Sequence, residues 1–199
     1  MIEGAAQVAS EEGKAPEVEI MISQVASAGE LQKAREIVEQ TAQEELKKLG
    51  KKISYKIGTM IETPRAALTA AELAQVADFF SFGTNDLTQA TFAFSRDDVE
   101  AKFMPFYLEN KILPSNPFET LDVSGVGRLV KMASEEAKQV NSKLRIGVCG
   151  EHGGDPDSIM FFHNTKVDYV SCSPYRVPVA RLVAAQAALK GKAQASTTA

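Results

Sequence analysis

Two carboxylates at matching places in the sequence could bind a divalent cation. Glu62 follows the apolar run YKIGTMI, and Asp86 comes shortly after the apolar run FFSFG, with a helical pattern between the two runs. Because successive parallel strands lie side by side, we expect the two acids on neighbouring strand ends. Mg²⁺ takes one or two carboxylates and leaves its other positions to water and substrate oxygens. The alternative is that each acid caps the helix that follows it.

The segment FFSFGTNDLTQ, residues 79–89, combines a buried strand with a polar exit. Its aromatic residues and its lack of charge before Gly83 indicate a strand that is covered on both faces. Gly83 allows the main chain to approach a ligand closely, and Asn85 and Asp86 add an amide and a carboxylate at the strand exit. Since α/β enzymes hold their chemistry at the carboxyl ends of strands, we expect a site here.

Cys149 lies in GVCGEHGG, at the end of another apolar run. A thiol has a reference pKa of about 8.5, so it is mostly protonated near neutrality and can act as an acid. The alternative is a small buried core residue, and that interpretation is the stronger one for Cys172. Both cysteines lie in or beside apolar runs rather than in a loop framework, which predicts free thiols and a reducing compartment.

The two histidines have different surroundings in the sequence. His152 lies among glycines just after Cys149, where it could serve as a ligand, a base or a phosphate contact, or could only order a loop. His163 lies in a helical pattern and is expected to be structural.

Five apolar runs predict strands, and helical patterns separate them. The runs are Val18–Val25, Tyr55–Ile61, Phe79–Gly83, Leu144–Cys149 and Asp168–Cys172. Helical periodicity covers residues 29–49, 64–77, 126–140 and 179–189, and Asp155-Pro156 indicates a further helix start. Strands that alternate with helices predict a parallel sheet and an α/β fold.

The number of these units bears on the architecture. A (β/α)8 TIM-type barrel needs eight units in roughly 250 residues, and this chain of 199 residues shows five. The fold is therefore either a complete open sheet or a barrel truncated to about the last five βα units. Residues 1–9 resemble the end of a helix with no strand before it, which favours the truncated barrel. We expect residues 1–190 to form this C-terminal part of a barrel domain and residues 191–199 to be a disordered tail.

One connection, from residue 86 to residue 144, is much longer than the others. It contains aromatic and proline-rich stretches, among them FMPFY and PSNPF. A βα connection of this length on the site face of a sheet is usually a lid or an interface.

The bulk composition narrows the partners and the compartment. Apolar residues make up 44% of the chain and the net charge is −4, which is ordinary for a globular protein and gives no reason to expect nucleic acid as a partner. No apolar run approaches the length of a membrane span, and the first residues lack the features of a secretory signal. We expect a cytoplasmic protein with no membrane partner; the alternative compartment is a plastid or another organelle.

Four segments resemble a known family. FFSFGTNDLTQATFAFSRDD is similar to the signature of the phosphoenolpyruvate-utilising enzymes. GTMIETPRAAL, GVCGEHGGDP and YVSCSPYRVPVARLVAAQAAL resemble more specifically the dikinase branch of that family. The resemblance runs from about residue 16 to residue 190, and a chance match to four such strings in the same order is very improbable.

The resemblance implies a fold, a cofactor and a role for each site residue. The family's C-terminal domain is a (β/α)8 barrel, and Glu62 and Asp86 match its Mg²⁺ ligands. Both acids, together with Gly83, Thr84 and Asn85, match its substrate contacts. Cys149 matches the catalytic acid/base thiol that exchanges a proton with the methyl carbon of pyruvate. In this scheme the metal acts as a Lewis acid on the enolate oxygen, and the thiol delivers or removes the C3 proton.

The resemblance also implies partners outside this chain. The family's phosphorylated histidine lies in a separate swivelling domain, and neither its motif nor a nucleotide-binding domain occurs here. The expected function is the pyruvate/phosphoenolpyruvate half-site of a phosphotransferase that interconverts ATP, phosphate and pyruvate with AMP, diphosphate and phosphoenolpyruvate. The missing phosphohistidine and ATP-binding domains are expected partners, as is a second copy in a homodimer, and the isolated chain is expected to be inactive. Ser23 departs from the pattern, since relatives carry proline there.

Two other functions fit the same residues. One is a stand-alone Mg²⁺-dependent lyase that acts on a pyruvate enolate, which would need Glu62 and Asp86 but no phosphohistidine. The other is an inactive dimerisation remnant that pairs through the apolar residues Phe103–Phe106 and the C-terminal helix.

Overall fold

Five short strands form the centre of the molecule. The computed structural model describes the main chain of residues 1–197 and the side chains of residues 1–191. Within that part, the strands are β1 (Val18–Ile22), β2 (Tyr55–Ile61), β3 (Phe79–Gly83), β4 (Arg145–Cys149) and β5 (Tyr169–Val170). β2 and β3 have the predicted bounds. β1 is shorter than predicted because Gln24 has a φ of 56°, in the left-handed region that a strand cannot continue through.

Helices separate the strands and cover the sheet. They are α1 (Ile2–Glu12), α2 (Ala28–Leu49), α3 (Pro64–Leu68), α4 (Ala70–Leu73), α5 (Thr84–Phe92), α6 (Arg96–Lys102), α7 (Met104–Glu109), α8 (Val126–Val140), α9 (Pro156–His163) and α10 (Val177–Thr197), with 3-10 turns at Glu151–Gly154 and Pro174–Arg176. The helix predicted over 64–77 is divided at Thr69, whose φ of −121° interrupts the helical geometry.

The helix starts follow from local side chains. Thr63 and Asp155 accept hydrogen bonds from the main-chain N–H groups of Ala66 and Ser158, at 3.1 and 2.9 Å, so each satisfies a donor that the first helical turn leaves unpaired. Each cap is followed by a proline, whose fixed φ suits the first helical position.

The strands lie in the order β1-β2-β3-β4-β5, and every neighbouring pair is parallel. Because all neighbouring strands are parallel, the carboxyl ends of the five strands lie at the same edge of the sheet. The structure confirms the predicted α/β fold with parallel strands alternating with helices.

The sheet is strongly curved. Arg145 on β4 approaches Glu19 on β1, with 3.5 Å between the guanidinium Nη1 and the carboxylate Oε1, although two strands separate β1 from β4. Neighbouring strands are about 4.8 Å apart, so a flat sheet would hold these strands about 14 Å from each other. Arg145 also stacks on the ring of Tyr169, at 4.5 Å from the ring centroid. These side chains meet on the concave face, near the end of the sheet where the strands begin.

The main core fills the space between the sheet and the helices that cover its outer face. Phe80, Phe82 and Ile146 from the strands pack with Leu73 and Val130 from α4 and α8, and all of them are fully buried. Burying such a side chain stabilises the fold by about 1.5–3 kcal/mol. The core therefore fixes the strands whose carboxyl ends carry the predicted site residues.

The segment of residues 93–125, called the excursion below, connects α5 to α8. It contains α6 and α7 and a small core of its own, in which Val99, Met104 and Phe118 are buried and Phe94 and Phe103 pack against them. The predicted long connection is therefore an ordered layer beside the sheet rather than an open loop.

The C-terminal end of the chain is described only in part. Helix α10 is assigned through Thr197, and residues 198–199 lie outside the described residues. A disordered tail over residues 191–199 stays a prediction. No helix in residues 1–197 has both the length and the apolar character needed to cross a membrane.

Candidate functional site

Glu62 and Asp86 meet at the carboxyl ends of β2 and β3. Glu62 follows the last residue of β2 and is only 2% exposed, and Asp86 lies in the first turn of α5, directly after β3. The two carboxyl groups are close enough for a hydrogen bond between them to affect the ionisation of Glu62. The structure therefore brings together the two acids that sequence reasoning assigned to neighbouring strand ends.

Glu62 does not cap a helix. Thr63 provides the side-chain cap of α3, whereas the Oε1 atom of Glu62 accepts a hydrogen bond of 2.6 Å from the main-chain N–H of Gln24, beyond the end of β1. The capping alternative is therefore wrong for Glu62, whose carboxylate points across the strand ends rather than along its own helix.

The ionisation of Glu62 reflects this setting. Burial raises the pKa of the Glu62 carboxyl, the hydrogen bond from Gln24 opposes that rise, and the nearby charge of Asp86 adds to it. Two like charges in a partly desolvated place are unfavourable unless a proton or a cation lies between them. The pair is thus arranged to gain from a positive partner.

Glycine is required at position 83 because the Glu62 carboxylate packs closely against it. A β-carbon at Gly83 would lie 2.6 Å from Oε2 of Glu62 and 2.7 Å from the sulfur of Met60, well inside contact distance. The φ of Gly83 is −85°, which any residue can adopt, so the reason for glycine here is space. The absence of a side chain lets the Glu62 carboxylate pack against the β3–α5 junction.

Two glutamines at the site escaped the sequence reasoning. Gln24 holds Glu62 through its main chain, and Gln89 donates from its side-chain nitrogen to Asp86 at 3.3 Å while its oxygen accepts from the main-chain N–H of Arg96 at 2.9 Å. Gln89 therefore joins the second acid to the start of α6. The position of Gln89 one helical turn after Asp86 is a sequence signal that could have predicted its contact with that acid. The contact of Gln24 depends on main-chain geometry, which leaves no such signal in the sequence.

Thr84, Asn85 and Gly150 form the next part of the rim. The hydroxyl of Thr84 lies 3.2 Å from the carbonyl oxygen of Cys149, and Oδ1 of Asn85 accepts from the main-chain N–H of Glu151 at 3.4 Å. A β-carbon at Gly150 would lie 3.0 Å from that same Oδ1, and the φ of Gly150 is 109°, a value that favours glycine. Glycine is therefore needed for the loop after β4 to pack against the loop after β3.

Cys149 ends β4 beside the acid pair. It is half-buried, and its sulfur lies 3.5 Å from the carbonyl oxygen of Phe82. Burial raises the pKa of the Cys149 thiol, the Ser81 hydroxyl opposes the rise, and the charges of Glu62 and Asp86 add to it. The thiol therefore stays protonated near neutral pH and keeps a proton to give.

Cys172 has a different environment and is also a free thiol. It packs against Ile159 of α9 and Ala180 and Val183 of α10, on the outer side of the sheet. Cys149 instead lies close enough to Glu62 and Asp86 to respond to their charges. The two thiols thus have separate surroundings, as expected for cysteines that do not form a disulfide.

An open cleft lies over the acid pair. Its volume is about 480 Å³, which suits a small ligand with its hydration. Both acids contribute to its floor, and the first residues of the excursion form one wall. The lining residues are Gln24, Glu62, Thr63, Asp86, Gln89, Ala90, Ala93, Phe94 and Ser95.

Another cleft, of about 460 Å³, lies between α1 and α2 on the outer surface. Ile20, Ile37 and Val38 give it an apolar lining, and none of the predicted site residues lines it. We therefore assign the candidate site to the strand ends.

The donor set fits Mg²⁺ better than a transition metal. Within the described residues, no three His, Cys, Asp or Glu side chains converge as a metal cluster. The pair formed by Glu62 and Asp86 suffices for Mg²⁺, which keeps several waters and takes only one or two carboxylates. Burial and, after it, the nearby charge of Asp86 raise the pKa of Glu62, and a hard cation would offset both effects.

Residues 4–189 match the protein family described as PEP-utilising enzyme, PEP-binding domain. The matched range contains all five strands and every site residue described above. The family resemblance seen in the four sequence segments is therefore confirmed.

Curated relatives of this chain are pyruvate, phosphate dikinases. Pyruvate, phosphate dikinase 2 from Zea mays is 56% identical over 168 residues, which are 84% of this chain and 19% of the relative. The chloroplastic pyruvate, phosphate dikinase 1 from Oryza sativa is 55% identical over 171 residues, 86% of this chain and 18% of the relative. The dikinase from Clostridium symbiosum is 52% identical over 192 residues, 96% of this chain and 22% of the relative. The chain spans about a fifth of the length of these relatives.

A solved structure shares the fold. A citrate lyase from Burkholderia xenovorans LB400 superposes with a TM-score of 0.53 over 92% of this chain and 53% of that chain, at 13% identity. At this identity the likeness concerns the fold alone, and it agrees with the parallel α/β arrangement described above.

Proposed function

Because the chain belongs to the family of PEP-utilising enzymes, we propose that it carries the pyruvate/phosphoenolpyruvate half-site of a pyruvate, phosphate dikinase. The observation that supports this proposal most directly is the convergence of Glu62 and Asp86 at the ends of β2 and β3, beneath an open cleft. The whole reaction, in which ATP, phosphate and pyruvate give AMP, diphosphate and phosphoenolpyruvate, is proposed for a protein of which this chain supplies one part. The phosphohistidine and ATP-binding domains are its proposed partners.

Glu62 and Asp86 would hold Mg²⁺ in this proposal. The main-chain N–H of Gln24 and the side chain of Gln89 orient the two carboxylates from opposite sides. When bound, Mg²⁺ supplies positive charge that stabilises negative charge on the oxygens of the substrate.

Cys149 is the proposed acid and base. With its pKa raised by burial, the thiol is protonated at neutral pH. Once the phosphoryl group of phosphoenolpyruvate has been transferred to the phosphohistidine domain, the thiol would donate its proton to C3 of the enolate that remains, and C3 would become the methyl group of pyruvate. In the opposite direction the thiolate accepts a proton from that methyl group. A half-buried thiol that is close enough to Glu62 and Asp86 to respond to their charges meets the requirement for access to a small substrate.

Gly83, Thr84 and Asn85 are the proposed contacts to the substrate's carboxylate and phosphate. Gly83 directly precedes α5, and Thr84 and Asn85 begin it; the first N–H groups of this helix have no partner within the helix and carry a partial positive charge. Anionic groups are stabilised at such a position. Asn85 adds an amide whose orientation is set by its contact with the Glu151 N–H.

The curvature of the sheet supports a barrel. The contact of Arg145 with Glu19 requires the strands to curl around a common interior, as they do in a (β/α)8 barrel. We therefore propose that the five βα units are the last five of a TIM-type barrel domain. Residues 1–190 would form this part of the domain.

A homodimer is part of the proposal. The side chains of Phe106, Leu108 and Ile112 on and after α7 are 37–59% exposed, and large apolar side chains at the surface often mark protein contacts. Replacement of Phe106 by Asp is expected to shift the chain from dimer to monomer in light scattering after size exclusion. A wild-type chain that is monomeric at high concentration would contradict this part of the proposal.

A cytoplasmic or organellar location also stays a prediction.

Calorimetric titration tests the half-site. We expect phosphoenolpyruvate to bind the wild-type chain in the presence of Mg²⁺ and much more weakly without it. Glu62→Gln and Asp86→Asn should each abolish the Mg²⁺-dependent part, whereas Glu119→Gln, a substitution at an exposed residue of the excursion, should not. Binding that is independent of the metal, or wild-type behaviour in both acid variants, would remove the metal assignment. Release of pyruvate from a 2-oxo acid without nucleotide would instead indicate a lyase.

A further inference from the structure

His152 is a fully buried titratable residue that the proposed chemistry does not use. It lies in the 3-10 turn after β4, and its side chain has no exposed surface. Its Nδ1 atom lies 2.8 Å from the hydroxyl oxygen of Thr84, and its Nε2 atom lies 2.9 Å from the carbonyl oxygen of Pro117. Both ring nitrogens are therefore paired, each with a different part of the chain.

The two partners determine where the ring proton is. The carbonyl oxygen of Pro117 can only accept, so Nε2 of His152 carries a hydrogen and donates it. Burial lowers the pKa of His152, which keeps the ring neutral, so Nδ1 has a free lone pair and accepts from the Thr84 hydroxyl. That hydroxyl has one hydrogen, and Nδ1 thus competes for it with the carbonyl of Cys149, which is 3.2 Å away.

The bond to Pro117 connects the ring to a wall of the cleft. Phe118 follows Pro117, is fully buried, and lies in the small core of the excursion against which Phe94 packs. Phe94 and the neighbouring Ser95 line the cleft above the acid pair. The hydrogen bond from His152 to Pro117 therefore attaches the excursion to the loop after β4, close to the small core that supports the cleft wall.

We propose that His152 is a positioning residue that anchors the excursion over the site through Pro117 and orients the Thr84 hydroxyl at the start of α5. It joins the loop after β4, the start of α5 and the excursion with one rigid ring. Since Thr84 and Cys149 belong to the proposed half-site, the consequence for substrate binding rests on the proposed function. The anchoring of the excursion does not depend on that function.

Two amide substitutions separate the two bonds of the ring. Asn at position 152 can reach the place of Nδ1 and keep the contact to Thr84, whereas Gln can reach the place of Nε2 and keep a donor to Pro117. We expect His152→Asn to speed amide hydrogen exchange in residues 113–121 about tenfold, the loss equivalent to one hydrogen bond. His152→Gln should stay within about twofold of wild type. His163→Asn, at the exposed end of α9, is the matched control and should change nothing.

Two exchange results would overturn the proposal. One is wild-type exchange of residues 113–121 in a folded His152→Asn variant. The other is equal acceleration in the Asn and Gln variants, because a role limited to filling space would not distinguish them.

A measurement on the unmodified chain covers the case in which the variants do not fold. Nitrogen-15 NMR of the imidazole should show a neutral ring with its hydrogen on Nε2 at pH 7. A hydrogen on Nδ1, or rapid averaging between the two tautomers, would contradict the anchor. This spectroscopic signature is specific to the bonding of the ring and does not respond to packing alone.

Substrate binding provides the functional readout. In the presence of Mg²⁺, His152→Asn should raise the Kd for phosphoenolpyruvate about tenfold, and His152→Gln should restore most of the affinity. Equal Kd values for the two variants would refute the link between the anchor and the site. If the wild-type chain binds no phosphoenolpyruvate, the half-site proposal fails, while hydrogen exchange and NMR still decide the role of His152.

Discussion

Asp78 and Asp168 make the same set of contacts at two places in the sheet. Asp78 precedes β3, and its carboxylate accepts from the main-chain N–H of Ile57 on β2 at 2.7 Å. Asp168 precedes β5, and its carboxylate accepts from the N–H of Ile146 on β4 at 2.8 Å. The N–H of each aspartate in turn donates to the carbonyl of the same isoleucine, at 2.9 and 2.7 Å. Each aspartate therefore extends a parallel pair of strands by one ladder step at its beginning.

A cation from the helix before the strand pair completes each arrangement. Arg35 of α2 lies 3.2 Å from the carboxylate of Asp78, and Lys138 of α8 lies 2.8 Å from that of Asp168. Each aspartate thus connects the helix before the strand pair, the first strand of the pair and the start of the second strand. These contacts lie at the end of the sheet away from the proposed chemistry.

Removal of either carboxylate should destabilise the fold. Asp78→Ala and Asp168→Ala each leave a main-chain N–H without its side-chain acceptor and remove one ion-pair contact of a nearby cation, which we expect to lower the free energy of unfolding by about 1–3 kcal/mol. Urea denaturation measures the change. Glu119→Ala, at an exposed position, is the control and should stay within about 0.5 kcal/mol of wild type. A loss no larger than that of the control would show that the strand starts do not need these carboxylates.

Glu62→Gln should separate stability from metal binding. Without Mg²⁺ the substitution removes one of two close negative charges, so the variant is expected to unfold at a temperature equal to or above that of wild type. With Mg²⁺ at about 100 times its Kd, the wild-type chain gains about 2.7 kcal/mol and the variant gains little. Thermal unfolding with and without the ion measures both effects. A variant that the ion stabilises as much as wild type would speak against Glu62 as a ligand.

Gly83→Ala should disturb the same acid by steric pressure. The new methyl group would meet Oε2 of Glu62 and the sulfur of Met60, so we expect the Glu62 carboxylate to be displaced and Mg²⁺ affinity to fall, with a loss of stability of about 1–3 kcal/mol. Gly4→Ala, a site with open space around its β-carbon, is the control. Titration with Mg²⁺ and urea denaturation together test this expectation, which unchanged affinity would contradict.

Cys149 should react slowly with alkylating agents. Its raised pKa lowers the fraction of thiolate, which is the reactive form, so iodoacetamide should modify it more slowly than the same cysteine in the unfolded chain at pH 7.5. The rate should rise only at a pH above the ordinary range for a thiol. Peptide mass spectrometry on a Cys172→Ser background measures the rate at this one site. Rapid modification at pH 7.5 would indicate an activated thiolate rather than a proton donor.

Because His152 is buried as a neutral ring, we expect the fold to lose stability in mild acid. Burial lowers the folded-state pKa of His152 below the ordinary histidine value of about 6.5, although the Pro117 carbonyl and the charges of Asp155 and Glu151 favour the proton. The unfolded chain then binds more protons between the two pKa values, so stability is complete above pH 6.5 and falls as the pH decreases below it. His152→Gln, which cannot titrate, should show a flatter stability profile between pH 7 and pH 5 in urea denaturation. Parallel profiles for the two chains would contradict the buried neutral ring.

Much of the fold could be predicted from patterns of apolar residues. Tyr55–Ile61 and Phe79–Gly83 have the predicted bounds because both are buried runs that end at a polar or glycine residue. The predicted strand at Asp168–Cys172 is assigned only over Tyr169–Val170. At its start the side chain of Asp168 accepts from the Ile146 N–H on β4, and after its end the Ser171 N–H still donates to the Val148 carbonyl. Side-chain bonds of this kind leave no periodic signal in the sequence.

The candidate site could be predicted only in part, for a comparable reason. Residue type and position along a strand suffice to predict that Glu62, Asp86 and Cys149 lie at one edge of the sheet, because parallel strands align their carboxyl ends. Gln24 and the anchor formed by His152 and Pro117 depend on main-chain atoms and on contacts between distant loops. A main-chain N–H is present at nearly every residue, and only its direction in the fold gives it a function.

The left-handed turn at Gln24 offers a way to redesign this protein. The hydrogen bond to Glu62 comes from the main chain, so the side chain at this position can be exchanged without removing that bond. Glycine would fit the φ of 56° with less strain, and larger or charged groups would alter the shape and polarity of the cleft floor. Position 24 is therefore where directed evolution should begin in a search for variants whose proposed half-site accepts bulkier 2-oxo acids.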